Sequence, residues 1–249
     1  MTKDNAPNEW ITGKGTLSIA GTKVDLEVTV PAAAVRPIKM LPVFQHLTNV
    51  IVDVGVRNAE AEGGQISCTK GCGACCRQLV PVAESEAYHL QSLVNELPEP
   101  RRTTIRERFA AAREKLQQNN FLQPILSPEN LTTEAKQHLG LEYFRLGIAC
   151  PFLEDESCSI HADRPLACRE YLVTSPAHNC ATPTAETVHC VAIPGSVART
   201  VRKLASSRPL NWVPLILALD WATENPDQSP ARPGHVWLQE VFRELTNND

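Results

Sequence analysis

The sequence has few aromatic residues and no long run of basic or of apolar residues. Aromatic residues make up 5% of its 249 residues, so the core must be largely aliphatic. The most apolar stretch, residues 213–219, is too short to cross a bilayer as a helix. The net charge is −4 and no long basic run is present, so a nucleic-acid-binding footprint is not visible. The length allows one large domain or two small ones.

Several sequence motifs are also absent. The chain has no Gly-x-Gly-x-x-Gly, Walker, His-Glu-x-x-His or Gly-x-Ser-x-Gly pattern. Its first ten residues are polar and lack the apolar segment of a secretory signal. We therefore expect a soluble cytoplasmic protein with no nucleic-acid and no membrane partner. The sequence does not indicate a protein partner.

Cysteine is what the chain has in quantity. It has nine cysteines, an odd number that excludes complete pairing within one chain. Reducing compartments keep thiols reduced, so clustered cysteines there more often bind metal or take part in redox chemistry. The distribution of the nine along the chain therefore indicates which chemistry to expect.

The first cluster places four thiols within nine residues, at Cys68, Cys72, Cys75 and Cys76. A two-residue gap lets two sulfurs turn toward one ion, and intervening glycines allow the tight backbone that this requires. Four core cysteines so close together, with glycines between them, would make a poor apolar segment. Adjacent side chains diverge, however, so we expect Cys75 and Cys76 to serve different centres, or one of them to pack.

The second group is Cys150, Cys158 and Cys168, with Cys180 and Cys190 further along. Their wide spacing suits ligands that loops deliver to a centre begun elsewhere, although Cys180 and Cys190 could equally be buried apolar residues. Seven or eight ligands are too many for one tetrahedral ion, so we expect two four-cysteine sites or one multinuclear site. We prefer Cys190 to Cys180 as the eighth. The predicted metal ligands are Cys68, Cys72, Cys75, Cys76, Cys150, Cys158, Cys168 and Cys190.

Three arginines lie beside or close to cysteines, at Arg77, Arg164 and Arg169. A metal centre with four thiolates is anionic and gains from nearby cations. Ordinary surface ion pairs are the alternative. A third interpretation is a reactive thiol activated by its arginine neighbour, with Cys76 and Cys168 as the candidates.

The histidines bear on the identity of the metal. His161, His178 and His189 lie in the cysteine-rich region and are candidate ligands, whereas His46, His89 and His138 fall on helices and are expected to be packed or exposed. Thiolate sites suit both zinc and iron. A set of cysteines alone favours iron–sulfur if there is more than one centre, and a histidine ligand favours zinc or mononuclear iron.

The cysteine order resembles a known family. Cys68-x3-Cys72-x2-Cys75-Cys76, then Cys150-Pro-Phe-Leu, Cys158-Ser-Ile-His and Arg164-Pro-x-x-Cys168-Arg, are similar to the CxxCxxCC (YkgJ-like) zinc- or iron-chelating domains, over about residues 65–175. The first gap is three residues where the family label has two. The resemblance implies a metal-binding protein that chelates zinc or iron, as ions or as an iron–sulfur cluster.

An enzyme is the alternative function. Flagellin lysine methylases are similar through the same domain, which implies a possible metal-dependent modification of a protein or small molecule. The Cys-x3-Cys-x2-Cys spacing also equals that of radical S-adenosylmethionine enzymes. Those enzymes carry repeated strand–helix units, whereas this sequence predicts helices around the motif.

Hydrophobic periodicity predicts a mainly α fold with a small N-terminal β-hairpin and an irregular cysteine-rich core. The hairpin is expected at residues 16–30, with a turn at Gly21-Thr22. Helices are expected at 42–60, from about 84 to a stop at Pro98, and at 103–119, 134–145, from 197, 212–223 and 235–245, with a loop at 120–131. The predicted division is 1–60 for the hairpin and first helix, 61–195 for the cysteine domain, and 196–249 for helices that pack on the same core.

Overall fold

A computed structural model describes residues 9–127, 131–184, 186–205 and 212–247. The helices are α1 (Pro37–Ala61), α2 (Glu84–Glu96), α3 (Arg101–Gln118), α4 (Leu122–Leu126), α5 (Thr133–Arg145), α6 (Leu166–Glu170), α7 (Val197–Ala205), α8 (Ala218–Glu224) and α9 (Gly234–Thr246). The strands are β1 (Trp10–Ile19), β2 (Thr22–Pro31), β3 (Ala34–Val35), β4 (Pro81–Val82), β5 (Leu153–Glu154), β6 (Ser157–Cys158), β7 (Val213–Pro214) and β8 (Arg232–Pro233). This confirms the mainly helical fold with an N-terminal hairpin.

The N-terminal hairpin pairs β1 with β2 in an antiparallel register in which Leu17 faces Val24. Its turn residues, Ala20 and Gly21, both have positive φ, at 46° and 75°. That pair of left-handed residues matches the twist of a tight hairpin, and it lies one residue before the predicted turn. Alternate residues of β2 are buried and face the core, while β1 is mostly exposed.

The hairpin packs with α1, α7 and α9 around one hydrophobic cluster, and we call these five elements the hairpin body. Phe44, Leu47 and Ile51 of α1 are 1%, 0% and 1% exposed, and Trp237 of α9 is equally buried. The indole Nε1 of Trp237 also donates to the carbonyl of Val35, 2.9 Å away. Aliphatic side chains supply most of this core, as the low aromatic content predicted.

Two smaller clusters complete the fold. One joins α2, α3 and the chain around β7, and the other joins the end of α3 to α4 and α5.

Three elements differ from the bounds predicted for them. Helix α1 begins at Pro37 and contains Pro42; α4 lies inside the expected loop, of which residues 128–130 are outside the described part; and 212–223 divides into β7, a 3₁₀ turn and α8.

The cysteine region, which we define as residues 67–82, 148–184 and 186–191, has very short elements. Its strands β4, β5 and β6 have two residues each, and α6 has five. None of the described helices is long and apolar enough to span a membrane.

Candidate metal centre

The first cysteine cluster lies on a loop that ends in a 3₁₀ turn. Gly71 has φ 88°, and the amide of Cys72 donates to the carbonyl of Thr69 at 3.1 Å. The 3₁₀ turn, Ala74–Arg77, contains both adjacent cysteines, and the amide of Cys76 donates to Gly73 at 3.0 Å. The local hydrogen bonds therefore fold the loop back so that its thiols share one side of the molecule.

The first cluster contacts the second directly. The amide of Cys150 donates to the carbonyl of Cys76, 2.7 Å away. Gly73 lies against the β5–β6 hairpin so closely that a Cβ there would be 2.7 Å from Leu153 Cδ1 and 2.5 Å from Glu156 Oε2. Only a glycine allows this approach without a shift of its neighbours. The 73 residues between the clusters thus bring Cys76 and Cys150 into contact.

Cys158 and Cys168 are carried by two further short elements. Cys158 ends β6, after a turn in which Asp155 and Glu156 both have positive φ. Cys168 lies in α6, whose first amide, that of Leu166, donates to the buried carboxylate of Glu86 at 2.7 Å. Glu86 also accepts from the amide of Ala83 at 2.8 Å, so this one side chain fixes α6 against the start of α2.

An extended segment at 172–174 joins the first cluster to the last cysteine. On one edge, the carbonyl of Val173 accepts from Ser67 at 3.0 Å, and its amide donates to Cys68 Sγ at 3.4 Å. On the other edge, Thr174 and Val191 make the backbone hydrogen bonds that flank a bridge between Val173 and Cys190. Cys190 therefore lies one strand away from Cys68.

These segments enclose a cavity of about 720 Å³. Eight of the nine cysteines line it, namely Cys68, Cys72, Cys75, Cys76, Cys150, Cys158, Cys168 and Cys180. All nine are free thiols. Seven of the eight predicted ligands are thus brought to one cavity. The eighth lining cysteine is Cys180, which is 3% exposed, whereas Cys190 is exposed and does not line the cavity.

Cys180 is the lining cysteine that the predicted ligand set does not include. It lies in a 3₁₀ turn, Ala177–Ala181, which packs beside the 3₁₀ turn of the first cluster. Pro176 precedes this turn and Cys180 is its only buried residue. A proline before a short turn that carries a cysteine is a common arrangement. It therefore could not have shown from the sequence that Cys180, and not Cys190, lines the cavity.

The thiols are spread over the cavity wall. Among the described residues, no group of three or more cysteine, histidine, aspartate or glutamate side chains is placed to hold a single ion. The cavity volume falls in the range of about 300–1,000 Å³ that is typical of small-molecule sites. The donor set of eight sulfurs suits zinc or iron, and the space between them suits a centre larger than one ion.

Burial determines the protonation of these thiols. It raises the pKa of Cys150 to about 12, and it also raises the pKa of Cys68, Cys158, Cys168 and Cys180. The pKa of Cys75 is raised chiefly by a hydrogen bond with Cys76, and then by burial. In the absence of metal these thiols keep their protons at neutral pH, so a metal must displace protons when it binds.

The three arginines have three different environments. Arg77 forms an ion pair with Glu156, at 2.6 Å, as the surface-pair interpretation predicted. Arg169 is buried and donates from Nε to the carbonyl of Arg164 at 3.0 Å, and from another nitrogen to the carbonyl of Ala162. Arg164 lies on the cavity wall. The raised pKa of Cys168 is opposite to what an activated nucleophile needs, so the reactive-thiol interpretation loses support there.

Of the three candidate histidines, His161 lines the cavity, and His178 and His189 do not. The pKa of His161 is lowered, first by the charge of Arg164 and then by burial and Arg169. A neutral imidazole can ligate a metal, so His161 remains a candidate beside the eight thiols. The backbone of His189 pairs with the 172–174 segment, which gives it a structural role.

Comparison with known proteins agrees with this geometry. No curated protein and no solved structure matches the chain. A family model does match residues 67–190, and its description is "CxxCxxCC: Putative zinc- or iron-chelating domain". That range begins one residue before Cys68 and ends at Cys190, so it contains every cysteine of the chain. Residues 67–190 therefore form a domain of the CxxCxxCC family, which its description links to zinc or iron chelation.

Proposed function

We propose that the protein holds a multinuclear iron–sulfur centre in the cysteine-lined cavity. The observation that carries the proposal is that eight thiols from four separate chain segments line one cavity of about 720 Å³. The proposed ligands are Cys68, Cys72, Cys75, Cys76, Cys150, Cys158, Cys168 and Cys180. This set replaces Cys190, which is exposed, with Cys180, which is buried.

The number of thiols favours a cluster over a single zinc ion. One tetrahedral zinc ion takes four ligands, whereas eight thiols line the cavity. In an iron–sulfur cluster, inorganic sulfide lies between the irons, so thiolates bind at a distance from one another. Such a cluster supplies electron transfer, or an iron with Lewis acidity, when it is bound.

A metal-dependent enzyme is the second candidate, and the composition of the wall supports it. The lining also includes side chains that are not sulfur ligands, among them Gln78, His161 and Tyr171. Polar groups beside a metal centre could orient a small molecule or a side chain of a protein substrate. The substrate would then have to fit in the part of the cavity that the metal centre leaves open.

Free thiols in this number are compatible with a reducing compartment, so we propose a cytoplasmic location. The division into 1–60, 61–195 and 196–249 stays a prediction. We propose the middle segment as the functional unit because it contains all nine cysteines.

Oxygen-free purification followed by iron, zinc and acid-labile sulfide analysis tests the proposal. We expect iron and sulfide in about equal amounts, with visible charge-transfer absorption. Zinc without sulfide would replace the iron–sulfur assignment with zinc sites. A protein that folds fully with neither metal, before and after reconstitution, would contradict metal binding in this cavity.

A further inference from the structure

Arg164 is the only arginine among the described residues that line the cysteine cavity. It lies between the 3₁₀ turn His161–Asp163 and α6, so the chain places it between Cys158 and Cys168. The side chain is partly buried. Its position is therefore fixed by the same short segment that brings two of the proposed ligands to the cavity.

The guanidinium of Arg164 has no partner in the part of the chain that the structure describes. Its Nε is buried without a hydrogen bond, and no described carboxylate forms an ion pair with it. The nearby arginines differ, because Arg77 is paired with Glu156 and Arg169 is bonded to backbone carbonyls. A buried donor of a charged group without a partner costs free energy, so such a group is expected to meet an anion.

The thiols are the acidic groups that this cation faces. The charge of Arg164 acts to lower the pKa of Cys68, Cys75 and Cys158, against the larger effects that raise them. Glu156 also lines the cavity, but its carboxylate is held by Arg77. The described wall thus has two lysine or arginine cations without a carboxylate partner, the exposed Lys70 and the partly buried Arg164, and it has eight thiols that become anionic when they bind metal.

We propose that Arg164 is the counter-cation of the metal centre, a positioning residue whose charge stabilises the bound thiolates and whose Nε donates to a ligand sulfur. This inference rests on the proposed metal centre. Four thiolates around a divalent ion, or around an oxidised four-iron cluster, carry a net charge of −2. A cation at the wall of a partly buried cavity reduces the cost of that charge far more than a solvated one does.

Zinc affinity measured by competition with a chromophoric chelator tests this role. We expect Arg164→Gln to bind zinc about 10–100-fold more weakly, the usual effect of losing a group that supports metal ligands. Arg164→Lys keeps the charge and should recover most of the affinity. Lys70→Gln is the charge-matched control, because Lys70 lines the same cavity but is exposed, so its charge is screened.

A second measurement separates charge from packing. The backbone carbonyl of Arg164, to which Arg169 donates, is kept in Arg164→Gln, and the unpaired buried donor is removed. The metal-free variant should therefore be at least as resistant to urea as the wild type. In iron-loaded protein, loss of the cation in Arg164→Gln should also make the reduction potential more negative, and Arg164→Lys, which keeps the charge, should restore most of the wild-type potential.

Unchanged zinc affinity and reduction potential in Arg164→Gln would overturn the role of Arg164 while leaving the metal centre intact. Equal losses in Arg164→Gln and Lys70→Gln would also overturn it, since the effect would then be one of general charge. A wild-type protein that binds neither zinc nor iron would contradict the metal centre itself, and Arg164 with it.

Discussion

The hairpin body and the cysteine region are built in opposite ways. The hairpin body has ten-residue strands and a 25-residue helix, with a continuous aliphatic core. The cysteine region has two-residue strands, a five-residue helix and 3₁₀ turns, joined by single backbone hydrogen bonds such as that from Cys150 to Cys76. The hairpin body can be stable through apolar burial. The cysteine region instead places its thiols where apolar side chains would otherwise pack.

This difference indicates where metal contributes to stability. A structural zinc site can supply about 10–16 kcal/mol of binding free energy, which is folding free energy if the site does not exist in the unfolded chain. The cysteine region has the short elements of a segment that depends on such a contribution. The hairpin body does not contain any cysteine, so metal should affect it less.

The largest effect on the hairpin body should come from Leu47→Ala. Leu47 is 0% exposed, so removal of its side chain leaves a cavity and should lower the free energy of unfolding by about 2–5 kcal/mol. Urea unfolding measures this. Leu141→Ala, at a side chain that is 45% exposed, is the control and should change stability by less than about 0.5 kcal/mol. A Leu47→Ala protein that remains folded but loses its metal would contradict the separation of the two regions.

Cys75→Ser should have the largest effect on metal binding. Sharing about 10–16 kcal/mol among four thiolates gives about 3 kcal/mol for each, so affinity should fall on the order of 100-fold. Cys190→Ser is the matched control and should keep the wild-type affinity, since Cys190 does not line the cavity. Metal competition measures both. A loss in Cys190→Ser with none in Cys180→Ser would restore the ligand set predicted from the sequence.

High pH should destabilise the metal-free protein. The folded pKa of Cys68, Cys75, Cys150, Cys158, Cys168 and Cys180 is raised above the ordinary value of 9.0. Above about pH 9 the unfolded chain therefore binds fewer protons than the folded chain, and stability falls as pH rises. Urea midpoints across this range measure the fall. Metal-loaded protein should show a smaller fall, and a rise in stability of the metal-free protein would contradict the assigned burial.

Gly73→Ala should have the smallest effect of the four. Its Cβ would meet Leu153 and Glu156 at 2.7 and 2.5 Å, so the first cluster must move away from the β5–β6 hairpin. Overpacking of this kind costs about 1–3 kcal/mol, and we expect the cost at the lower end because the Glu156 carboxylate can move. Gly13→Ala, with no atom within 4 Å of the new Cβ, is the control. Thermal unfolding and metal affinity together show whether the contact matters.

The sequence predicted the elements whose pattern is local. The alternation at Val24, Leu26, Val28 and Val30 predicted β2, because every second residue faces one core. Helices α2, α3, α5, α7 and α9 followed from apolar spacing in the same way, to within two residues where a boundary was predicted at both ends. The predicted start of α1 at residue 42 was wrong. Prolines usually occur in the first turn of a helix, but Pro42 lies inside this one, which begins at Pro37. The prediction of one helix over 212–223 was wrong because residues 213–219 are apolar throughout, so their pattern does not distinguish a strand, a 3₁₀ turn and a helix.

The site was only partly predictable. The spacing from Cys68 to Cys76 was enough to indicate metal, and the family motif added Cys150, Cys158 and Cys168. Cys180 and Cys190 have equivalent sequence contexts, and only the fold shows that one is buried at the cavity and the other exposed. A surface ion pair was one of the two interpretations of Arg77, but its partner could not be predicted, because Glu156 lies 79 residues away.

Hydrogen exchange measured by mass spectrometry, with and without metal, shows whether metal stabilises the cysteine region and not the hairpin body. We expect metal removal to accelerate exchange in the cysteine region while the amides of α1 and β2 stay protected. Unchanged exchange in residues 67–82 and 148–191 would show that metal does not hold the thiol-lined cavity together. That result would contradict a metal centre that stabilises the cysteine region.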